Sequence, residues 1–500
     1  MEKKYIMVID EGTTGTRALI FNRNSEIKAQ AYTEFEQHHP APDRVEHDAQ
    51  EIWRSTRSMA RKALEKAGLK ASQIAAIGIT NQRATTIVWD KRTGKPISRA
   101  IVWQDTRTAD YVEEIRSEWA DKTYGKTGWA MAPVYSSLML HWMKNNIAGF
   151  NKRAEAGDLA FGTIDSWLIY KLTGGKTHAI SASNASVTGA YDLHKDDWYS
   201  EWLDFLGLPL NMFPEVMPDS GDYGMTDESF LGVPIPITGA IADQHAALFA
   251  QGCIEPGTLK VTHGTGSFVD MNIGTKPEIS KNGLNTIIAW RMNGETTYGL
   301  EGYSAVTGSA VQWLRDGAEM IPASPDTEEL AKSVDDNGGV FFVPALAGLS
   351  APYWDSYARG MIIGITRGTT RAHLIRATLE GIIYSMKDFI GAMQDDSGVE
   401  IRKMATDGGA SANNFLMQFQ ADMLDAEVVR PSVTEATSLG AAYMAGLAVG
   451  YWPSPEACFD DQTVDRVFKP KMSSEERDSL YRSWGRAVKR AMNWAKDDEE

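Results

Sequence analysis

One pattern opens each half of this chain. VIDEGTTGTRALIF (residues 8–21) and GTLKVTHGTGSFVDMNIG (residues 257–274) both read as an apolar strand, a turn of glycine and threonine, and a second strand. At 500 residues the chain is too long for a single hydrophobic core. Two such hairpins, one at the head of each half, predict two related units facing each other. The boundary is placed between residues 252 and 253, giving units 1–252 and 253–500.

The segments between the hairpins alternate between strand and helix. After the first hairpin, NRNSE turns the chain into a third strand, EIKAQAYTEF. A helix follows: Asp48 and Glu51 have capping-box spacing, and Ile52, Met59, Ala63 and Ala67 continue one face. IAAIGI and TIVWDKRTGKPI read as further strands, and FGTIDSWLIYKLTG as a strand passing into a helix. The last segment, SEERDSLYRSWGRAVKRAMNWAKDDEE, reads as a charged amphipathic helix with an acidic, frayed end. The fold class is α/β.

Composition narrows the function. The net charge of −16, with no basic block against it, argues against a nucleic-acid partner. Two separated cysteines, Cys253 and Cys458, make neither a disulfide framework nor a thiolate metal site. The apolar run after Met1 is too short for a signal-peptide core, and no window reaches the length of a membrane span. A cytoplasmic enzyme is the expectation.

Asp10 closes a strand just before the first Gly/Thr turn. A carboxylate there suits Mg²⁺, while turn N–H groups and threonines suit phosphates. The Walker pattern G-x-x-x-x-G-K-S/T is absent, so a nucleotide site would not be a P-loop. Asp243, where an apolar run meets Asp-Gln-His and a helix of small residues, reads either as a base taking a proton from a substrate hydroxyl or as a helix cap. His245 reads as a packed neighbour. ATDGGASANNFLMQF (residues 405–419) reads as a strand, a glycine turn and a helix start, fit for an anion or nucleotide but also for an ordinary connection. In NQRATT, Arg83 sits near a strand end with no acid within four positions on either side.

Together these pieces resemble a known family. VIDEGTTGTRA, GITNQR, IVWQDTRT, ADQHAALF, HGTGSF, GLSAPYWDSYARG, GMIIGITRGTTRAHLIRATLE and DGGASANNFLMQFQAD are similar to the motifs of the FGGY carbohydrate kinases, and within them to those of the glycerol kinases. The resemblance runs from about residue 4 to residue 495. It implies two actin-like (ribonuclease H-like) ATPase domains with the active site in the cleft between them. It implies ATP and Mg²⁺ as cofactors, with Asp10 organising the metal. Thr13, Thr14, Gly15 and Arg17 would line the first phosphate turn, and Thr265 the second. Gly308 and Gln312 would lie by the nucleotide, and Gly409 and Asn413 would bound the adenosine pocket. Asp243 would be the general base with Gln244 beside it, and Arg83, Trp103 and Phe268 would line a polyol pocket. A homo-oligomer, dimer or tetramer, is part of the same implication.

The resemblance is incomplete in the polyol half. Glycerol kinases follow the NQR arginine with a glutamate that binds substrate hydroxyls; here that position is Ala84. The family places a tyrosine after a proline; here Pro133 is followed by Val134, and the aromatic comes next, at Tyr135. Met139 stands where the family's first signature has a lysine. Residues 227–236 lack the arginine of the Gly-Gly-Thr-Arg loop that binds a sugar bisphosphate effector in some bacterial glycerol kinases. Three consequences compete. Ala84 could open room for a four-carbon tetritol such as erythritol or threitol. Glycerol could remain the substrate, with Tyr135 or a water making the contact. Or the kinase could be weak. Arg83 is expected to face substrate hydroxyls rather than a protein carboxylate. A nucleotide-binding regulator without phosphoryl transfer is the alternative from another class.

Overall fold

The structure is a computed structural model that describes residues 4–432, 435–460 and 462–496. Its first large sheet has the strand order Ile237–Ala242, Ile74–Asn81, Tyr5–Glu11, Gly15–Phe21, Ile27–Glu34. The last three form an antiparallel meander, and the first two run parallel to Tyr5–Glu11. Strand Ile74–Asn81 is buried along its whole length, as a continuous apolar run covered on both faces should be.

The second sheet repeats this plan. Thr258–His263, Ser267–Gly274 and Glu295–Ser304 are antiparallel neighbours, and Lys403–Asp407 and Glu427–Pro431 run parallel to Thr258–His263. Asn285–Met292 and Val464–Phe468 extend its two edges. The two Gly/Thr turns of the sequence therefore occupy equivalent places, each joining the central strand of its sheet to the next strand of the meander.

The halves interlock through the helix that follows each last parallel strand. Helix Ala436–Ala448 comes from the second half but lies on the first sheet. A Cβ at Gly78 would stand 2.3 Å from the Ala441 carbonyl oxygen, and one at Gly239 only 2.5 Å from the Ala445 nitrogen. The same helix crosses Asp243–Ala250 so closely that a Cβ at Gly440 would lie 2.0 Å from the Ala246 oxygen. Ile6, Val8 and Leu19 thus share a core with Ala441, Ala442 and Tyr443.

Local signals hold with small changes. Helix Ala49–Ala67 is capped by Asp48, which accepts the Gln50 N–H at 2.8 Å. After Lys403–Asp407 a short 3₁₀ turn, Gly409–Ala412, precedes helix Asn414–Leu424, so that helix begins later than the glycines suggest. The amphipathic helix near the end spans Ser474–Ala491. The acidic end, residues 497–500, lies outside the described residues. Among the described residues, no helix is long and apolar enough to cross a membrane.

Candidate active site

Both hairpin turns are closed by backbone. Gly12 N–H donates to the Gly15 carbonyl at 3.0 Å, and Gly264 N–H to the Gly266 carbonyl at 2.8 Å. Side chains are excluded at the same point of each turn: a Cβ at Gly15 would meet the Thr33 oxygen at 2.5 Å, and one at Gly266 the Ser304 oxygen at 2.2 Å. Asp10, at the end of strand Tyr5–Glu11, is buried behind the first turn. It pairs with Arg17 at 3.1 Å and accepts the Ser438 hydroxyl at 2.5 Å. Arg17 also holds Glu435 at 2.6 Å. Burial raises the Asp10 pKa, against the pull of Arg17 and Ser438. Trp103 lies beside this turn, its Nε1–H donating to the Thr13 hydroxyl at 3.1 Å.

On the second half, Thr265, Gly308, Gln312, Gly409 and Asn413 line one cavity of about 600 Å³. That is the size range of small-molecule sites. The helix start at Gly308 presses on the second turn, where a Cβ would stand 2.6 Å from the Gly264 oxygen. Asn413 caps helix Asn414–Leu424 by accepting the Leu416 N–H at 3.0 Å. Thr14, Gly15 and Arg17 line a separate cavity of about 560 Å³ with Glu435. The nucleotide residues expected from the sequence thus fall into two groups, one at each turn.

Asp243 is the first residue of helix Asp243–Ala250, whose N-cap is Ala242. Its side chain is 31% exposed and lies 3.7 Å from Arg83 Nε. Burial raises its pKa, opposed by Arg83 and by the Gln244 N–H, which donates to it at 2.8 Å. Gln244 accepts from Lys260 Nζ at 2.6 Å. His245 is fully buried and, through desolvation, uncharged.

Arg83 does have a protein carboxylate, contrary to expectation. Its guanidinium donates to Glu301 at 2.6 Å and lies over the Trp129 ring, 5.4 Å from the centroid. Glu301 comes from strand Glu295–Ser304 of the second sheet, 218 residues away, which is why no local reading found it. Burial pushes its pKa up, but Arg83, with Asp270 and Lys260, outweighs that and holds it below the ordinary glutamate value. Behind it lie Asp270 and Lys260, ion-paired at 2.9 Å with both side chains fully buried. Each of the three is a single charge inside an apolar strand run, in LEG, VDM and LKV. That was the available signal.

Two further expectations are corrected. Tyr135 does not line a pocket: it is 0% exposed, packed so closely on Gly189 that a Cβ there would lie 2.1 Å from its ring. Its hydroxyl donates to the Trp129 carbonyl and is committed to the core. Ala84 opens no space either, being only 1% exposed. It takes a left-handed φ of 60° inside a turn closed by the Thr85 N–H on the Arg83 carbonyl at 2.7 Å, a strained three-residue form. Val134 is half-buried against the same core as Tyr135. Phe268, 36% exposed, faces Tyr303 with 4.6 Å between centroids.

Comparison with known proteins places this arrangement. Residues 5–250 match the N-terminal domain and residues 259–449 the C-terminal domain of the FGGY family of carbohydrate kinases. The chain belongs to that family. It is an ATP-dependent phosphotransferase with the two-domain fold and interdomain cleft of the sugar kinases. "Glycerol kinase 2" of Thermotoga maritima is 51% identical over 494 residues, covering 99% of this chain and 100% of the relative. "Glycerol kinase" of Caldanaerobacter subterraneus is 52% identical over 495 residues, covering 99% and 100%. Plasmodium falciparum glycerol kinase, solved with ADP, superposes with a TM-score of 0.92 at 32% identity, covering 98% of each chain.

Proposed function

We propose that this kinase transfers the γ-phosphoryl group of ATP to a primary hydroxyl of a short polyol, with glycerol as its substrate. The observation that carries this is Asp243: a carboxylate open to the cleft, 3.7 Å from Arg83, at the start of a helix. Relatives named glycerol kinase support the choice of polyol. So does Ala84, whose burial offers a longer tetritol no added room.

Phosphoryl transfer asks mainly for alignment and charge neutralisation. In this reading the second-half cavity holds the nucleoside, and the two turns present N–H groups and threonines to its phosphates. Asp243 accepts the proton of the attacking hydroxyl. Its raised pKa makes it a stronger base than an ordinary carboxylate. Arg83 orients the hydroxyls, and closing of the cleft excludes water, the competing acceptor.

Mg²⁺ fits at Asp10. The carboxylates of Asp10 and Glu435 share the single Arg17, leaving negative charge uncompensated. Among the described residues no three-residue metal cluster occurs, so the ion would rely on phosphate and water oxygens, its usual habit. When bound it would neutralise the transferring phosphate. A cytoplasmic homo-oligomer belongs to the same proposal and rests on the family resemblance.

The test is ADP release over glycerol, erythritol and threitol with wild type and Asp243→Asn. Glycerol should be turned over best, and the variant should lose roughly 10²- to 10⁴-fold in kcat. Activity should fall as pH drops through a value above the ordinary Asp pKa of about 3.9, because the base must be ionised. No polyol-dependent ADP release would favour the nucleotide-binding regulator instead, and a fully active Asp243→Asn would overturn Asp243 as the base.

A further inference from the structure

Lys260, Asp270 and Glu301 stand directly opposite one another on three adjacent strands of the second sheet. Carboxylates placed opposite each other repel. Here each has a cation at its outer side: Lys260 lies 2.9 Å from Asp270, and Arg83 2.6 Å from Glu301. The row is buried, with side-chain exposures of 0%, 0% and 6%.

Buried ion networks are on average no more stable than apolar packing of the same volume. This row does something apolar residues could not: both of its ends leave the second sheet and hold polar groups of the first half. At one end Glu301 grips Arg83. At the other, Lys260 donates to Gln244 at 2.6 Å. Arg83 and Gln244 are the two neighbours of Asp243, one 3.7 Å from its carboxylate and the other next in sequence, donating its N–H to it.

We propose that Lys260, Asp270 and Glu301 form a positioning relay for the polyol site. Glu301 fixes the guanidinium of Arg83, Lys260 fixes the Gln244 amide, and Asp270 couples the two. A carboxylate that holds Arg83 is thereby delivered across the cleft from the other half of the molecule. The polyol site is complete only when the two halves are in register, and Glu301 is a positioning residue for substrate binding, not a catalytic one.

The relay rests on the polyol-kinase reading above, so the experiment separates the two. Wild type, Glu301→Gln and Glu301→Asp are compared by the KM for glycerol and the KM for ATP. Glu301→Gln keeps the shape but removes the charge on Arg83. Its glycerol KM should rise at least about tenfold, which is about 1.4 kcal/mol of binding, with the ATP KM within about twofold of wild type. Glu301→Asp keeps the charge and should fall between the two. If Glu301→Gln does not fold, the Glu301→Asp comparison decides alone, with the same split between the two KM values expected. A glycerol KM unmoved in either folded variant, or both KM values rising together, would overturn the relay. A wild-type enzyme that phosphorylates no polyol refutes the function and takes the relay with it.

Discussion

The proposed nucleotide half and the proposed polyol half of this site are built differently. In the nucleotide half, Thr265, Gly308, Gln312, Gly409 and Asn413 meet in one cavity through glycine turns and helix starts. Backbone does the work there, and each turn is shaped within a few residues of chain. In the polyol half, Arg83 depends on Glu301 from the other sheet, and Gln244 on Lys260. Side chains do the work there, and their partners are set by strand register. A site of the first kind is disturbed by adding atoms to a glycine. A site of the second kind is disturbed by unbalancing a charge.

The largest effect is expected where that charge balance is removed outright. Lys260→Met leaves Asp270 fully buried and facing Glu301 with its own cation gone. Breaking a buried pair by removing one partner costs about 3–5 kcal/mol, so the melting temperature should drop sharply. Adding Asp270→Leu to it should recover most of the loss, since the double variant exchanges a charged pair for apolar packing. Thermal unfolding of the two variants beside wild type checks this. A Lys260→Met protein that melts with wild type would mean that Asp270 is neutral without help, and the contrast between the halves would weaken.

The same contrast explains what could be read in advance. The repeated hairpins and the alternation of strand and helix were legible because each is written in contiguous sequence: strand, glycine, helix cap. Asp10 and Asp243 stood out as candidates because each sits at a strand-to-turn or strand-to-helix junction, where the structure also places them. Glu301 was not, since nothing near NQRATT points to a strand that begins more than 200 residues later. Tyr135 misled because it stands one residue from the family's tyrosine position while its ring turns into the core. Arg83 was read as facing no protein carboxylate. Its partner lay in tertiary structure, where cross-strand pairing and not local pattern decides.

A smaller effect should separate the halves from the nucleotide side. Gly408 has φ of 88°, and a Cβ there would lie 2.4 Å from the His263 oxygen. Gly408→Ala must shift the turn that joins strand Lys403–Asp407 to the cavity proposed for the nucleoside. Alanine forced to positive φ destabilises the fold by about 1 kcal/mol or more, and the turn displaced to relieve the clash should raise the ATP KM. The glycerol KM should rise less, because the clash falls at the far end of strand Thr258–His263, three residues from Lys260, and Asp270 and Glu301 lie on other strands. Steady-state kinetics with each substrate varied in turn gives both numbers. Equal movement of both would show the halves to be coupled through this turn.

The smallest effect is the one that most directly tests the corrected polyol site. If Tyr135 bound substrate, removing its hydroxyl would raise the glycerol KM. In this structure the hydroxyl donates to the Trp129 carbonyl beside the Thr123 and Thr127 hydroxyls, deep in the core. That carbonyl also lies 3.4 Å from the Thr127 hydroxyl, so it keeps a partner when the tyrosine is lost. Tyr135→Phe should therefore cost about 1 kcal/mol, a typical net hydrogen bond, read as a small fall in melting temperature. Trp129 carries the ring over which Arg83 sits, so even this change approaches the site from behind. Yet it touches neither the guanidinium nor Glu301, and the glycerol KM should stay at the wild-type value. A KM that rises without loss of stability would put the Tyr135 hydroxyl in contact with substrate and return the polyol site to the family pattern.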